Sequence, residues 1–212
     1  CPVTISNQLL IIGCGGHTRF LLGLIANSHF EVFGLIDLKD DWDDTEVIMD
    51  VSVVGCLSSI NKKFSLGWRN LALGIGNNYL RKRIYFQLKE MGFIFPNLIH
   101  PSAIIDTTAV LGEGNVIGPG VIIGAEVVLG NNNIINSGAL IEHQCIIGDH
   151  CHVSLSATMS GNVSIGDCVF LGANSTVIER INVSNRTILG AGGTLVCSTK
   201  SNGLTLVGCP AK

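Results

Sequence analysis

The second half of the chain repeats with a period of six residues. From residue 105 to residue 195, every sixth position holds an aliphatic residue or methionine. The positions are Ile105, Leu111, Ile117, Ile123, Leu129, Ile135, Ile141, Ile147, Val153, Met159, Ile165, Leu171, Val177, Val183, Leu189 and Leu195. A strand alternates every two residues and a helix turns every 3.6, so neither produces this period. An unbroken period of six predicts a coiled backbone in which each flat side takes up one hexad.

Three such hexads would close one triangular coil, and the repeat predicts about five coils of a parallel β-helix. Residues 18 apart in the sequence would then lie above one another on the same side. A glycine follows the aliphatic position in many hexads, which suits tight corners. With 26 glycines and only 14% charged residues, the composition also fits a solenoid with an aliphatic core. Residues 96–212 are therefore predicted to form an all-β domain.

The first 95 residues lack this period and alternate apolar strands with amphipathic helices. Strands are predicted at residues 8–12, 31–36 and 71–75, and helices at residues 17–27 and 79–90. This order predicts a small Rossmann-like βαβ unit with a parallel sheet, residues 1–95. A connector with two prolines, residues 93–103, leads into the repeats. The acidic loop at residues 39–45 is expected at the carboxyl end of the sheet, where such folds bind ligands.

A glycine turn, residues 13–18, follows the first predicted strand and opens the first helix. Backbone N–H groups in this context commonly bind phosphate. The motif is an incomplete dinucleotide fingerprint, because Thr18 occupies the sixth position, where the fingerprint has glycine. With Asp37 at the end of the next strand, NAD binding stays an alternative. Fewer than 100 residues precede the repeats, however, so a single nucleotide or a nucleotide-linked sugar is favoured.

The composition also bears on partners and location. The net charge is -3 and the cationic residues cluster only at residues 81–83, so we expect no nucleic-acid partner. The sequence contains no apolar run of about 18 residues and no signal-peptide pattern, so we expect no membrane span and a cytoplasmic location. Cys145 and Cys151 occupy hexad positions that elsewhere hold small hydrophobic residues, which predicts that they point inward.

Two columns of the predicted β-helix could carry chemistry. His143 lies one coil below Gly161, and the missing side chain of Gly161 predicts an open groove beside the imidazole. Imidazole is a suitable general base near neutral pH. A lone corner histidine is more often simply a surface residue, but Asn136 and Glu142 are expected nearby. In the second column Ala173 lies below Ala191, which predicts a strip of small residues on which a pantetheine arm could lie.

The β-helical half resembles the hexapeptide-repeat acyltransferases, which fold as left-handed parallel β-helices and generally form trimers. Over nearly the whole chain, the sequence resembles the sialic-acid O-acetyltransferase (NeuD) and PglD-like nucleotide-sugar N-acetyltransferase family. The matching segments are residues 13–17, residues 74–78 with Arg81, and residues 141–143, 161–163, 188–192 and 207–212. The histidines at 143, 150 and 152 do not have the spacing of the zinc ligands in hexapeptide-repeat carbonic anhydrases, so no metal is predicted.

This resemblance implies specific roles. His143 would be the catalytic base, and Asn136 would help line its pocket. Acetyl-CoA would contact His152, Ala173 and Ala191, and the gap at Gly161 is assigned to the same cofactor site. The nucleotide would contact Gly15, Gly16, His17, Asp37, Leu38, Gly76 and Asn77. One departure is Gln144, which stands where close relatives have the acidic residue that tunes the base. The base is then weaker, or Glu142 or a neighbouring subunit takes over the orienting role.

The predicted function is an acetyl-CoA-dependent N-acetyltransferase of bacterial surface-glycan biosynthesis. The acceptor would be the amine of a nucleotide-linked amino sugar, with a 4-amino-4,6-dideoxyhexose favoured, attacking the thioester directly without a covalent enzyme intermediate. A homotrimer with active sites at subunit interfaces is expected. Two alternatives stay open: an O-acetyltransferase acting on sialic acid or another sugar hydroxyl, and a non-enzymatic assembly partner.

Overall fold

The computed structural model describes residues 7–212, so the first six residues of the predicted N-terminal domain lie outside the described residues. The chain divides into two compact units. The first ends at Leu98 and the second begins at Ile99. Within residues 7–212, no helix combines the length and the apolar character required to cross a bilayer.

The first unit is a small α/β fold built around one five-stranded sheet. Its elements are β1 (Gln8–Ile12), α1 (Gly16–Ile25), β2 (Glu31–Asp37), β3 (Val47–Ile48), β4 (Val51–Cys56), α2 (Ile60–Ser65), β5 (Leu71–Leu73) and α3 (Asn78–Glu90). The strand order is β3-β4-β2-β1-β5, in which β3 pairs antiparallel with β4 and the other pairings are parallel. The predicted βαβ unit with a parallel sheet is confirmed.

The sequence correctly predicts the buried central strands of this unit and its two longer helices. In β1, residues 9–12 are fully buried, and α1 buries one face that includes Leu21, Leu24 and Ile25. Helix α3 begins after Asn77, whose side-chain oxygen accepts a hydrogen bond from the Leu80 N–H at 2.9 Å. The sequence prediction omits β3, β4 and α2. β3 and α2 are short, and β4, although six residues long, is interrupted by Gly55, so their periodicity is weak.

The second unit consists of two-residue strands that recur every six residues as far as Leu195, followed by one further strand. They are β6 (Leu98–Ile99), β7 (Ile104–Ile105), β8 (Val110–Leu111), β9 (Val116–Ile117), β10 (Ile122–Ile123), β11 (Val128–Leu129), β12 (Ile134–Ile135), β13 (Leu140–Ile141), β14 (Ile146–Ile147), β15 (His152–Val153), β16 (Thr158–Met159), β17 (Ser164–Ile165), β18 (Phe170–Leu171), β19 (Thr176–Val177), β20 (Asn182–Val183), β21 (Ile188–Leu189), β22 (Thr194–Leu195) and β23 (Thr205–Leu206).

These strands form three parallel sheets, which are the faces of a triangular coil. The first face contains β7, β10, β13, β16, β19 and β22, and the second contains β8, β11, β14, β17 and β20. The third contains β6, β9, β12, β15, β18, β21 and β23. Pairing joins residues 18 apart, as in Ile123 with Ile141 and Ile141 with Met159. The predicted coil length and the left-handed parallel β-helix are confirmed.

The hexad residues form the core of this unit. All of them from Ile117 to Leu195 are buried, while Ile105 and Leu111 are half-buried because β7 and β8 are the end strands of their sheets. One residue at each corner has positive φ: Gly114, Gly120, Glu126, Asn132, Gly138, Gln144, His150, Ser156, Asn162, Cys168, Asn174, Arg180, Arg186 and Gly192. The glycines that directly follow the aliphatic positions have another role. A Cβ on Gly124 would lie 2.9 Å from the backbone nitrogen of His143 in the next coil.

Candidate active site

Two loops of the first unit meet at the carboxyl edge of its sheet, where β1 and β5 lie side by side. The Gly13 N–H donates to the Ile36 carbonyl at 2.7 Å, and the Gly74 N–H donates to the Ile12 carbonyl at 2.8 Å. The chain continues from β1 to β2 on one side and returns to β5 on the other. This is a topological switch point, the position at which open α/β sheets bind ligands.

Thr18 joins these two loops. Its buried hydroxyl donates to the Gly13 carbonyl at 2.8 Å and lies 3.4 Å from the Gly74 carbonyl. A Cβ on Gly74 would collide with the same hydroxyl. Thr18, which replaces the last glycine of the dinucleotide fingerprint, therefore connects the loops after β1 and β5 through its side chain.

Four of the predicted nucleotide-binding residues lie together on these loops. Gly15 caps the amino end of α1 and Gly16 is its first residue, and a Cβ on either would meet no atom within 4 Å. Across the switch point, a Cβ on Gly76 would lie 4.0 Å from the Cβ of His17. The open backbone at the start of α1 has the geometry of a phosphate site.

The other three lie at neighbouring strand or helix ends. Asp37 is the last residue of β2, its carboxylate accepts a hydrogen bond from the Lys39 N–H at 3.1 Å, and Leu38 follows it. The side-chain oxygen of Asn77 caps α3, so this oxygen has a structural partner. All seven predicted residues are at the carboxyl edge of the sheet or on the loop after β5.

Arg81 is a positioning residue that the sequence identified only as part of a motif. Its side chain is 1% exposed and donates to the carbonyls of Ile75 and Gly76, both at 3.2 Å, and to the Asn78 side-chain oxygen at 2.9 Å. One guanidinium thus holds the backbone of the loop after β5. The sequence does place an arginine near the start of a predicted helix that follows a glycine-containing loop. That pattern could have predicted the contact between Arg81 and the loop.

Cys14 lies inside the glycine turn, next to the predicted phosphate position. Burial, followed by the nearby carboxylates of Asp37 and Glu46, raises the pKa of its thiol to about 11. The thiol therefore stays protonated near neutral pH and adds no negative charge where phosphate would bind.

In the second unit, residues 142–144 lie between β13 and β14, at the corner that joins the first and second faces; we call this the His143 corner. The exposed imidazole of His143 lies over Gly161 of the next coil. A Cβ on Gly161 would be 2.6 Å from both Cε1 and Nε2 of the ring. The predicted open groove is therefore wrong, because the His143 ring itself fills the space beside Gly161.

A chain of hydrogen bonds runs along the His143 corner. The His143 Nδ1 atom is 3.4 Å from the Gln144 side-chain oxygen. The Gln144 amide nitrogen donates to Glu126 Oε2 at 2.9 Å, one coil away. The Glu142 carboxylate accepts from the backbone N–H of His143 at 3.4 Å, so it contacts the backbone. Glu126 was missed by the sequence analysis, although its 18-residue spacing from Gln144 could have identified it.

Asn136 lies elsewhere, at the corner that joins the third and first faces; we call this the Ala173 corner. Three of the predicted cofactor residues, His152, Ala173 and Ala191, lie at or beside it, whereas the fourth, Gly161, is at the His143 corner. The Asn136 amide nitrogen is 3.4 Å from His152 Nε2, and the His152 ring packs edge-on against Phe170 with centroids 5.2 Å apart. Ala173 accepts a backbone hydrogen bond at 2.8 Å from Gly192, the residue after Ala191. Within one chain Asn136 therefore groups with His152 and not with His143.

Two other expectations concern thiols and metals. Cys145 and Cys151 are fully buried, as predicted, and burial raises the pKa of the Cys145 thiol. A buried neutral thiol is a poor nucleophile. Among residues 7–212, no group of three or more His, Cys, Asp or Glu side chains is arranged to hold a metal ion.

Comparison with known proteins gives one family. Residues 8–88 match the family model of the PglD N-terminal domain. PerB from Caulobacter crescentus, solved with CoA and GDP-perosamine, is 32% identical with a TM-score of 0.91, covering 97% of this chain and 96% of that one. The acetyltransferase domain of PglB from Neisseria gonorrhoeae is 28% identical with a TM-score of 0.89, covering 98% and 99%.

The same architecture occurs at lower identity. WeeI from Acinetobacter baumannii is 18% identical with a TM-score of 0.82, covering 97% of this chain and 99% of that one, and so shares the fold. The PglB domain has also been solved with acetyl coenzyme A. With its PglD-like first unit, its β-helix and its likeness to PerB over nearly the whole length, this chain belongs to the sugar N-acetyltransferases of the hexapeptide-repeat superfamily, which use acetyl-CoA.

Proposed function

We propose that this enzyme transfers the acetyl group of acetyl-CoA to the amine of a nucleotide-linked 4-amino-4,6-dideoxyhexose. The observation that carries the proposal is the 32% identity, over 97% of the chain, to an enzyme solved with both CoA and GDP-perosamine. The first unit would bind the nucleotide and the β-helix would carry out the transfer. Acetyl-CoA and nucleotide sugars are both cytoplasmic metabolites, so we propose that the enzyme acts in the cytoplasm of a bacterium that builds a surface glycan.

His143 is the proposed general base. Its ring is exposed, and Nε2 lies at the Gly161 end of the ring. In the proposed reaction His143 removes a proton from the sugar amine as the nitrogen attacks the thioester carbonyl, and the tetrahedral intermediate then expels the CoA thiolate. No covalent enzyme species is formed. Glu142 and Gln144 border the base, and Asn136 would line the same pocket from the Ala173 corner.

Most of the proposed cofactor site is the Ala173 corner. Gly161 lies at the His143 corner, so it would border the cofactor only from another copy of the chain. Ala173 and Ala191 stack one coil apart and present little side chain, which suits an extended pantetheine arm. His152, held against Phe170, borders this strip. The proposed nucleotide site is the switch point of the first unit, where Gly15, Gly16 and His17 face Gly76 and where Asp37, Leu38 and Asn77 form the rim.

We also propose a homotrimer in which the active site is completed between copies. The base lies at the His143 corner and the cofactor strip at the Ala173 corner, so one chain does not bring them together. Both faces that meet at the His143 corner expose apolar residues in their lower coils: Ile104 and Ile122 on the first, and Val110, Val128 and Ile146 on the second. Such stripes are typical of covered interfaces. A three-fold arrangement would bury them and set the Ala173 corner of one copy beside the His143 corner of another.

A panel of UDP-, dTDP-, GDP- and CMP-linked amino sugars tests the substrate. Ligands that bind the folded protein raise its Tm, and the sugars that do so are then assayed for CoA release. We expect at least one nucleotide-linked 4-amino sugar to give both signals, and free sialic acid to give neither. CoA release with sialic acid and with no nucleotide-linked amine would overturn the proposal and favour O-acetylation.

His143→Asn separates binding from catalysis in the same panel. The variant should keep the Tm shifts with acetyl-CoA and with the sugar but lose CoA release by a factor of about 10² to 10⁴, the usual contribution of a general base. Perosamine N-acetyltransferase variants with a histidine changed to asparagine or alanine have been solved with CoA and GDP-perosamine, which supports the expectation that binding persists. Full activity in His143→Asn would exclude it as the base.

A further inference from the structure

Gln144 is fixed from below by a carboxylate in the preceding coil. Glu126 and Gln144 are 18 residues apart, both adopt positive φ at the His143 corner, and the Gln144 amide nitrogen donates to Glu126 Oε2 at 2.9 Å. The backbone of Glu126 is itself anchored, because its N–H donates to the Thr108 hydroxyl at 2.8 Å. That hydroxyl in turn donates to Asp106 at 2.7 Å.

The charge of Glu126 determines which way the Gln144 amide points. An ionised carboxylate only accepts hydrogen bonds, so the NH₂ end of Gln144 must face Glu126. The oxygen end then faces Nδ1 of His143, at 3.4 Å. An amide oxygen only accepts, so the ring nitrogen that faces it is the one that carries hydrogen. The neutral imidazole is therefore the Nδ1–H tautomer, and its lone pair is on Nε2.

The tautomer selected in this way leaves the basic nitrogen at the reactive end of the ring. Nε2 is one of the two ring atoms within 2.6 Å of a Cβ position on Gly161, away from Gln144. When Nε2 takes a proton, Nδ1–H continues to donate to Gln144, and the positive charge on the ring is stabilised by Glu126 through the polarised amide.

The other charged groups of this corner do not contact the ring nitrogens in this way. Glu142 accepts from the backbone N–H of His143 at 3.4 Å. In the coil above Gly161, Glu179 and Arg180 are both largely exposed, with Glu179 Oε1 and Arg180 Nη1 3.6 Å apart.

We propose that Glu126 is a positioning residue for the acetyl transfer: acting through the Gln144 amide, it sets the tautomer of His143 and supplies a negative charge that stabilises the protonated ring. This inference rests on the proposed role of His143 as the base. The inference places the negative charge that Gln144 lacks on Glu126, one coil away in the same chain.

Two variants test this proposal: the first removes the negative charge of Glu126, and the second moves that charge to position 144. Glu126→Gln keeps the shape of the side chain but can present either end to Gln144, so the amide is no longer oriented. We expect kcat to fall about tenfold to hundredfold, less than the ~10² to 10⁴ expected from loss of the base itself, with the KM for acetyl-CoA unchanged. The acidic limb of the kcat/KM profile should move to lower pH, because the protonated base loses its counter-charge. Glu179→Gln, a matched exposed change in the coil above Gly161, should leave kcat and the profile unaltered.

The double variant Glu126→Gln/Gln144→Glu exchanges the two groups and places the carboxylate beside Nδ1. We expect it to recover most of the lost kcat and to move the acidic limb above its wild-type position. A side chain that only stabilised the fold would not shift the pH profile. An unchanged profile in Glu126→Gln, whatever its kcat, or a double variant without recovery, would overturn the proposal.

A second measurement does not depend on activity. In protein labelled with ¹⁵N-histidine, long-range NMR correlations report which ring nitrogen carries hydrogen. We expect His143 to be the Nδ1–H tautomer in the wild type and a mixture in Glu126→Gln. The same tautomer in both proteins would exclude control by Glu126. If His143→Asn proves active, the base assignment fails, and this measurement still decides whether Glu126 sets the tautomer.

Discussion

The imidazole of His143 lies against Gly161, and the two residues are in contact because they occupy the same column of adjacent coils. A Cβ on Gly161 would be 2.6 Å from Nε2 and Cε1 and 3.3 Å from Cδ2. The ring position therefore depends on a missing side chain. Gly161 does not have positive φ, so its backbone conformation would accept alanine, and the nearest atoms that a Cβ would meet belong to the ring.

Gly161→Ala should displace the His143 ring with little effect on the β-helix. A shift of about 1 Å in a catalytic group can cost about a hundredfold in rate, so we expect kcat to fall by about that factor. The melting temperature should change little. The control is Gly23→Ala in α1, where a Cβ would meet no atom within 4 Å. Wild-type kcat in Gly161→Ala would mean that the ring has another productive position.

Arg81→Met should destabilise the loop after β5. The change leaves the carbonyls of Ile75 and Gly76 without their guanidinium donor, and buried groups deprived of a partner cost about 1–3 kcal/mol each. We expect urea unfolding to give a loss of about 3 kcal/mol and nucleotide-sugar binding to weaken more than acetyl-CoA binding. Arg81→Lys should recover only part of this, since an ammonium lacks the fork geometry.

The exposed Arg83 of the same helix provides the control, because Arg83→Met should leave both quantities unchanged. Equal effects of the two substitutions would indicate a general loss of helix charge. The hydrogen bonds to the loop would then not be the cause.

The six-residue period was enough to predict the β-helix, because each aliphatic hexad position is buried in a fixed register. It also predicted that His143 and Gly161 stack. It could not predict that the imidazole fills the space beside Gly161, since the ring orientation depends on side-chain contacts.

The 18-residue spacing also relates Gln144 to Glu126, so Glu126 could have been predicted from the sequence. The separation of Asn136 from His143 also follows from the hexads, since they lie after different faces. The six residues of α2 carry too little periodic signal to be predicted, and Gly55 interrupts the pattern of β4.

Cys14 should resist alkylation near neutral pH. Its pKa, raised to about 11 chiefly by burial and next by Asp37, keeps the thiol protonated at pH 8, and the thiolate is the reactive form. Peptide mapping after iodoacetamide treatment should find the exposed Cys197 and Cys209 modified well before Cys14. The unfolded thiol ionises near pH 9.0, below the folded one, so the contribution of Cys14 to stability should be lost as the pH rises from 9.0 to about 11. Fast labelling of Cys14 at pH 8 would contradict the raised pKa.

Val128→Glu should break the proposed trimer. Val128 is 44% exposed in the single chain and lies between Val110 and Ile146 in the apolar stripe of the second face, so a carboxylate there would be buried without a partner at a three-fold interface. Light scattering should give about three times the 22.4 kDa chain mass for the wild type and a lower mass for the variant. Activity should fall with the mass, because the His143 corner of one copy would lose the Ala173 corner of another. Asn182→Glu, on the same face but in an upper coil with a polar outward residue, should stay trimeric and active. A trimeric and active Val128→Glu would exclude this stripe as the interface.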